Sequence, residues 1–510
     1  MTGNEIALLL MIGSLFAGIL SGIPAMLAIA GVPFVAALLG SVFGVFDLTF
    51  LSFFPARVWG IMSNTLLMAV PLFVLMGVLL ERSGLAQRML GVLNDLVRGS
   101  PRGIALAILA FSTLIAAATG IIGATVVMLV LIGLPAMREA GIPKRLSAGI
   151  ICASGTLGQI IPPSILLVLL GDQIGNTYLE AQQRAGNFAP DPVSVGDLFA
   201  GALMPGLMLV ALYAVFIALT LRPGRGVPLL DRRTVPARVL AFTFLPPILL
   251  IVAVLGSILA GVATTTEAAG LGAVGALLLA GHGLAGRWGR RLIVGAGIAS
   301  LALVALRIGD AGRGLATAAG ALAMLAALVI AAGVLWAGWR LWRGRILAGA
   351  VDETVRISGM VFGIVVAASM LSLVFRGFGG DEWVSLAIAD LPGGTGTALA
   401  MVMLVVFLLG FMLEAVEIIY IVVPLLGPPI LGGDISPVFF GVLLAMNLQT
   451  SFLTPPFGFA LFYFRSAAPR DISTADIYLG VAPFVGLQIL AIGILIAWPE
   501  LATWLPGLIF

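Results

Sequence analysis

The chain has 510 residues, 61% of them hydrophobic and only 10% charged, with a mean hydropathy of +1.19. A soluble domain is about 25% charged, so this composition excludes one, and apolar runs beyond about 20 residues read as bilayer-spanning helices. The net charge of +3 is not a nucleic-acid signature, because the arginines sit in loops between spans, where orientation by the positive-inside rule places them.

In chain order, residues 5–45 are apolar with an interruption at Ser21-Gly-Ile-Pro24, and read as two helices or one broken helix. No cleavable signal peptide stands out, and Ile6 to Leu20 reads as a first span. Residues 46–61 read as an interfacial loop with Trp59, and 62–81 as the next span. A basic loop with Arg82, Arg88, Arg98 and Arg102 follows, then the apolar run 103–137, broken at Thr119-Gly-Ile-Ile-Gly123, then Arg138, Lys144 and Arg145. Both basic clusters stay on one side if the run enters the bilayer, turns at its glycines and returns. A full double crossing is the alternative; arms of about 15 residues are short for it.

Residues 146–171 then cross as a helix broken at Pro162-Pro163, and 172–198, with Asp172, Glu180, Asp191 and Asp197, read as an external loop. A return span, 199–221, ends at a basic boundary with Arg222, Arg225, Arg232, Arg233 and Arg238. This divides the chain into N-terminal scaffold helices (1–102), first transport elements (103–221), second scaffold helices (222–395) and second transport elements (396–510). In the second half, 239–260 and 268–281 are spans, 292–309 and 314–337 an additional pair, and 356–375 another span. Residues 396–430 form a second apolar hairpin, broken at Leu413-Glu-Ala-Val-Glu417 and flanked by Asp381, Glu382 and Asp390 before it and Asp434 after it. Residues 437–464 form a second broken helix, Asp471 to Leu479 a short amphipathic piece, and 480–497 the last span. The charges therefore predict two oppositely inserted halves, each a hairpin followed by a broken helix: an all-α inverted-topology repeat.

The two breaks resemble each other. Ser154-Gly-Thr-Leu-Gly-Gln-Ile-Ile-Pro-Pro-Ser164 and Asn447-Leu-Gln-Thr-Ser-Phe-Leu-Thr-Pro-Pro-Phe457 superpose on Pro162-Pro163 and Pro455-Pro456, with Ser154 opposite Asn447 and Thr156 opposite Gln449. Proline frees backbone carbonyls, which survive at membrane depth only when buried in protein or lining a wet cavity. Paired interruptions in two halves point to a transporter's binding site. Catalytic motifs such as His-Glu-x-x-His, Gly-x-Ser-x-Gly and the P-loop are absent, which argues against an enzyme and against ATP hydrolysis. Cys152 and His282 are single, so neither an internal disulfide nor a Cys/His metal site is expected.

Both Pro-Pro stretches, together with Ala117 to Thr125, Leu198 to Gly206, Thr264-Thr-Thr-Glu-Ala-Ala269 and Asn447 to Phe459, resemble the large membrane subunit (the M subunit, DctM-like) of a tripartite ATP-independent periplasmic (TRAP) transporter. The first hairpin tip departs from the family's serine-rich form, Glu414 stands where aspartate is common, and 282–345 looks like an insertion. The resemblance implies import of an organic acid across a bacterial inner membrane, coupled to an ion gradient, usually sodium. It also implies a periplasmic substrate-binding protein, a small four-helix membrane subunit and an elevator-type mechanism. A self-sufficient organic-anion transporter and a channel are the alternatives.

Helix N-termini at the breaks favour anions, while freed carbonyls and hydroxyls favour a hard cation. The candidate site comprises Thr119, Gly120 and Gly123 with Ser154, Gly155, Thr156, Pro162, Pro163 and Ser164, and Glu414 and Glu417 with Asn447, Gln449, Thr450, Ser451, Thr454, Pro455 and Pro456. Ser154, Thr156, Asn447 and Thr450 are the sodium candidates. Against this, membrane hydroxyls often bond only their own i−4 carbonyl. Glu414 either neighbours a cation or reaches external water, and Glu267 reads as a helix cap.

Overall fold

The computed structural model describes residues 3–97, 100–221, 235–309, 318–389 and 392–510, which contain helices and no strand. Nine described helices are long and apolar enough to cross a bilayer; the pair Leu48–Ser63 and Leu66–Arg82, bent by 54°, makes a tenth. Helices satisfy their own backbone polar groups, as hydrocarbon demands.

The N-terminal interruption separates two helices, Gly3–Leu20 and Ala25–Val42, with Gly22 left-handed at φ 85° in the turn. The expected loop at 46–61 is largely helical: Asp47 caps a 3-10 turn, Leu48–Phe53, which runs into Phe54–Ser63. Exposed Phe53 and Trp59 keep the interfacial character of this stretch. Leu66–Arg82 follows and, after left-handed Gly84, the short helix Leu85–Leu96. The first hairpin pairs Pro101–Thr119 with Ile122–Glu139 and is antiparallel, since a side chain on Gly133 would meet Ile108 at 3.4 Å.

The first broken helix is Lys144–Thr156 followed by Ile165–Arg184. It continues past residue 171, where an external loop was expected. Hydropathy ends the span early because Asp172, Gln173, Asn176 and Glu180 line a polar cleft between helices. Val195–Thr220 closes the half behind a Ser194–Asp197 capping box. Arg98, Asp390 and the boundary residues Arg222, Arg225, Arg232 and Arg233 lie outside the described residues.

The second half opens with Ala237–Leu259 and Thr265–Leu284, the latter started by the expected cap, in which Thr264 and Glu267 form a capping box. The pair expected as an insertion, Arg287–Gly309 and Ala318–Arg343, builds a small core from Leu278, Ala285, Ile293, Ala296 and Ala337. Ile346–Gly377 follows and, after left-handed Gly379, the short helix Gly380–Ala389, repeating the arrangement before the first hairpin. The second hairpin pairs Gly394–Leu409 with Ala415–Leu426, and the second broken helix is Pro437–Leu453 followed by Phe459–Ala467. The separate amphipathic piece expected at 471–479 is instead the start of Thr474–Ala497, because a Ser473–Asp476 capping box begins that helix at Thr474. Glu500–Ile509 ends the chain, packed against Val195–Thr220.

The broken helices run antiparallel past each other. Ile174 packs on Gly441, Thr156 meets Gln449, and Cys152 Sγ lies 3.9 Å from the Ala460 carbonyl. At one end Arg138 and Lys144 both pair with Asp471; at the other, Gln182 Nε2 donates to Leu431 O at 3.0 Å. The hydrogen bond from Lys144, reinforced by Arg138, holds the Asp471 carboxyl below its usual range. Depressed in the folded state, this group contributes its stabilisation above the ordinary carboxylate pKa and loses it only under acid conditions. The tightest crossing joins Lys144–Thr156 to Thr474–Ala497: a Cβ on Gly149 would fall 2.0 Å from Gly480 O, and one on Gly480 2.0 Å from Arg145 O. Small residues permit such approach where helices cannot rely on hydrophobic exclusion.

Candidate functional site

The stretches leading into the two breaks meet inside the protein. Gln449 Nε2 donates to Thr156 Oγ1 at 3.4 Å, joining the two residues that alignment on the Pro-Pro pairs sets opposite each other, and both are fully buried. The Pro162-Pro163 and Pro455-Pro456 bonds are both cis.

Most hydroxyls here donate to the local backbone. Ser154 Oγ donates to Ile150 O at 2.6 Å, Thr156 Oγ1 to Ala153 O at 2.9 Å, and Thr450 Oγ1 to Met446 O at 2.8 Å. Ser451 donates to Leu448 O and Thr454 to Thr450 O. Ser164 donates to Gln159 O at 2.8 Å and accepts from Leu167 N–H, so it closes the first break and caps the next helix. Asn447 turns to the second hairpin, where Nδ2 donates to Met403 O at 2.6 Å. With their protons committed, these hydroxyls offer only lone pairs inward. The side-chain oxygens of Gln159 and Gln449 are buried without a hydrogen-bond partner, and such acceptors require explanation. Gln159 was missed as a site residue, although it stands within the first break.

The hairpin tips close over the breaks. Gly120 is left-handed at φ 62°, and a Cβ there would reach Ile165 N at 3.4 Å. Gly123 abuts the Tyr463 ring, and Gly155 abuts Val126. Gly410 lies against Ser451, where a Cβ would fall 2.0 Å from Oγ. The Thr119 side chain lies outside the described residues. Glu414 N–H donates to the Glu417 carboxylate at 3.2 Å, so buried Glu417 caps Ala415–Leu426, while Glu414 is exposed at the tip. Tyr463, which sequence reasoning missed, packs against the first tip.

A second polar feature lies between the bent pair Leu48–Ser63 and Leu66–Arg82, Ile346–Gly377, the first broken helix and the second hairpin. It is a cleft of about 340 Å³. Asp172 accepts from Asn64 Nδ2 at 2.9 Å and from Tyr420 OH at 3.3 Å. Farther along, Glu180 takes Arg376 and Arg184, each at 2.7 Å, and Arg184 also takes Asp381 at 2.8 Å.

The family described as "Tripartite ATP-independent periplasmic transporter, DctM component" matches residues 12–308 and 285–501. The chain belongs to this DctM family. It is 28% identical to the C4-dicarboxylate TRAP transporter large permease protein DctM of Rhodobacter capsulatus, over 87% of each chain. It is 26% identical to the isethionate TRAP transporter permease protein DctMQ of Oleidesulfovibrio alaskensis, over 86% of this chain and 58% of that one. Its fold is similar to that of the Alcanivorax borkumensis YdaH transporter, with TM-score 0.50 and 14% identity over 90% of both chains. As a DctM-family large permease subunit it is a multi-pass inner-membrane transport protein rather than an enzyme. The DctM family works in tripartite assemblies with a small membrane subunit and a periplasmic binding protein.

Proposed function

We propose that this permease imports an organic acid, received from a periplasmic binding protein, and couples the step to a sodium gradient. The observation that carries the reading is the buried Thr156–Gln449 contact between antiparallel breaks, flanked by the unpartnered Gln159 and Gln449 oxygens. Sodium is a hard cation that seeks oxygen ligands; the preference stated for harder divalent ions applies to it too. Gln159, Thr156, Gln449 and Thr450 are the residues to supply those oxygens, with the Ser154 and Asn447 pair beside them. The hairpins would enter the bilayer from opposite faces, and the unit they form with the broken helices would slide against the remaining helices.

The test is uptake into proteoliposomes holding this chain and its small subunit, with the binding protein and a radiolabelled solute that it binds outside. Uptake should follow an imposed sodium gradient and vanish when sodium is replaced by choline. Ser154→Leu and Asn447→Leu should each lower uptake at least about 30-fold, as expected for about 2 kcal/mol of lost binding, with normal amounts of protein in the membrane. Sodium-independent uptake would overturn the coupling; wild-type rates in both variants would overturn the site.

A further inference from the structure

Arg57 stands on the helix Phe54–Ser63, half buried in the wall of the polar cleft. Among the described residues no carboxylate lies within ion-pair distance of it, and its one hydrogen bond is long, from Nη1 to Ser369 O at 3.5 Å. Its neighbours are committed to each other: Arg376 and Arg184 share Glu180 and Asp381. The cleft therefore holds one guanidinium fork whose donors have no anionic partner.

The cleft has two ends. Seven residues separate Arg57 from Asn64, and eight separate Asp172 from Glu180, so the ends lie about 10–12 Å apart at the helical rise per residue. At the Asp172 end, Asn64 and Tyr420 both donate to Asp172, and Asn176 lines the cleft beside them. Those partners are neutral and, among the described residues, no ion pair is made to Asp172, so that end presents carboxyl oxygens that accept a hydroxyl or an ammonium and offers a second carboxylate no cationic fork.

We propose that this cleft, framed by Arg57, Asn64, Asp172, Asn176, Ser369 and Tyr420, binds a small solute carrying one carboxylate, which Arg57 takes, and a hydrogen-bond donor at its other end. Guanidinium and carboxylate match as a bidentate pair, and the volume suits a small ligand. The proposal rests on the transport reading for the fate of the solute and deepens it by naming a solute class: a hydroxy or amino monocarboxylate rather than a dicarboxylate. The cleft is also separate from the breaks, so it would hold the solute before or beside the cation site.

The chain provides its own reporter background, because its single cysteine, Cys152, is fully buried. The experiment places a thiol in the full chain at Ser369→Cys, and in a second variant at Ser372→Cys. It measures modification by methanethiosulfonate reagents bearing a sulfonate or a trimethylammonium, each rate normalised to that of a free thiol in solution. The sulfonate should be favoured near Arg57, and adding Arg57→Gln should lower that preference about tenfold, the size of a nearby screened charge. Adding Asp172→Asn instead should raise it severalfold. A preference unchanged by Arg57→Gln would overturn the carboxylate site, as would thiols at both positions that react with neither reagent. A preference unchanged by Asp172→Asn would overturn the restriction to monocarboxylates. Because the readout is charge preference and not uptake, its failure is distinguishable from failure of sodium-coupled transport.

Discussion

Gln449→Leu is expected to reduce uptake at least about 100-fold while leaving the protein as stable as the wild type, or slightly more so. The side chain is fully buried, its one hydrogen bond, to Thr156, is long at 3.4 Å, and its oxygen has no partner. Burying an amide whose capacity is unmet costs free energy that an apolar side chain of similar size does not. Thr156 keeps its bond to Ala153 O in the variant, so no new orphan is created there. Transport would lose an oxygen at the point where the two halves touch; about 3 kcal/mol at a cation site corresponds to the stated factor. The measurement is the pair of numbers, melting temperature in detergent and initial uptake rate in proteoliposomes. A variant that unfolds, or one that transports normally, would each refute this assignment.

Gly149→Val should have the opposite character and eliminate folded protein. The added carbon would sit 2.0 Å from the Gly480 carbonyl oxygen, and the mirror contact from Gly480 to Arg145 O is equally short. Backbone cannot rotate away as a side chain can, so the helices must separate and the packing around Phe484 and Cys152 must open with them. Overpacking of this kind costs more than about 3 kcal/mol, enough to lose the monodisperse peak on size-exclusion chromatography. Gly486→Val on the same helix meets nothing within 4 Å and should be silent. Equal behaviour of the two variants would show that the crossing is looser than described.

Local sequence pattern disclosed the breaks and their mutual placement. Two Pro-Pro pairs sit in polar stretches, and the charges at their flanks set the direction of each half. Alignment on those prolines put Thr156 opposite Gln449, the contact the fold makes. Hydropathy failed where polar residues face protein instead of water: Asp172 looked like loop because its partners, Asn64 and Tyr420, lie 108 and 248 residues away. Arg57 and Tyr463 were invisible for the same reason, since each matters only through a distant element. Glu417 and Asp476 carried a legible signal, a cap three residues upstream, but an acidic residue at a hairpin tip suggested a cation first, and a short amphipathic run hid the cap of Thr474–Ala497.

The helix pair expected as an insertion has a consequence for how the chain tolerates change. Its small core is shared with Thr265–Leu284, and its other neighbours are Ala237–Leu259 and Ile346–Gly377. None of the described residues of this pair lines the polar cleft or belongs to the two breaks, so turns added or removed there change the lipid-facing perimeter and leave both polar features their own side chains.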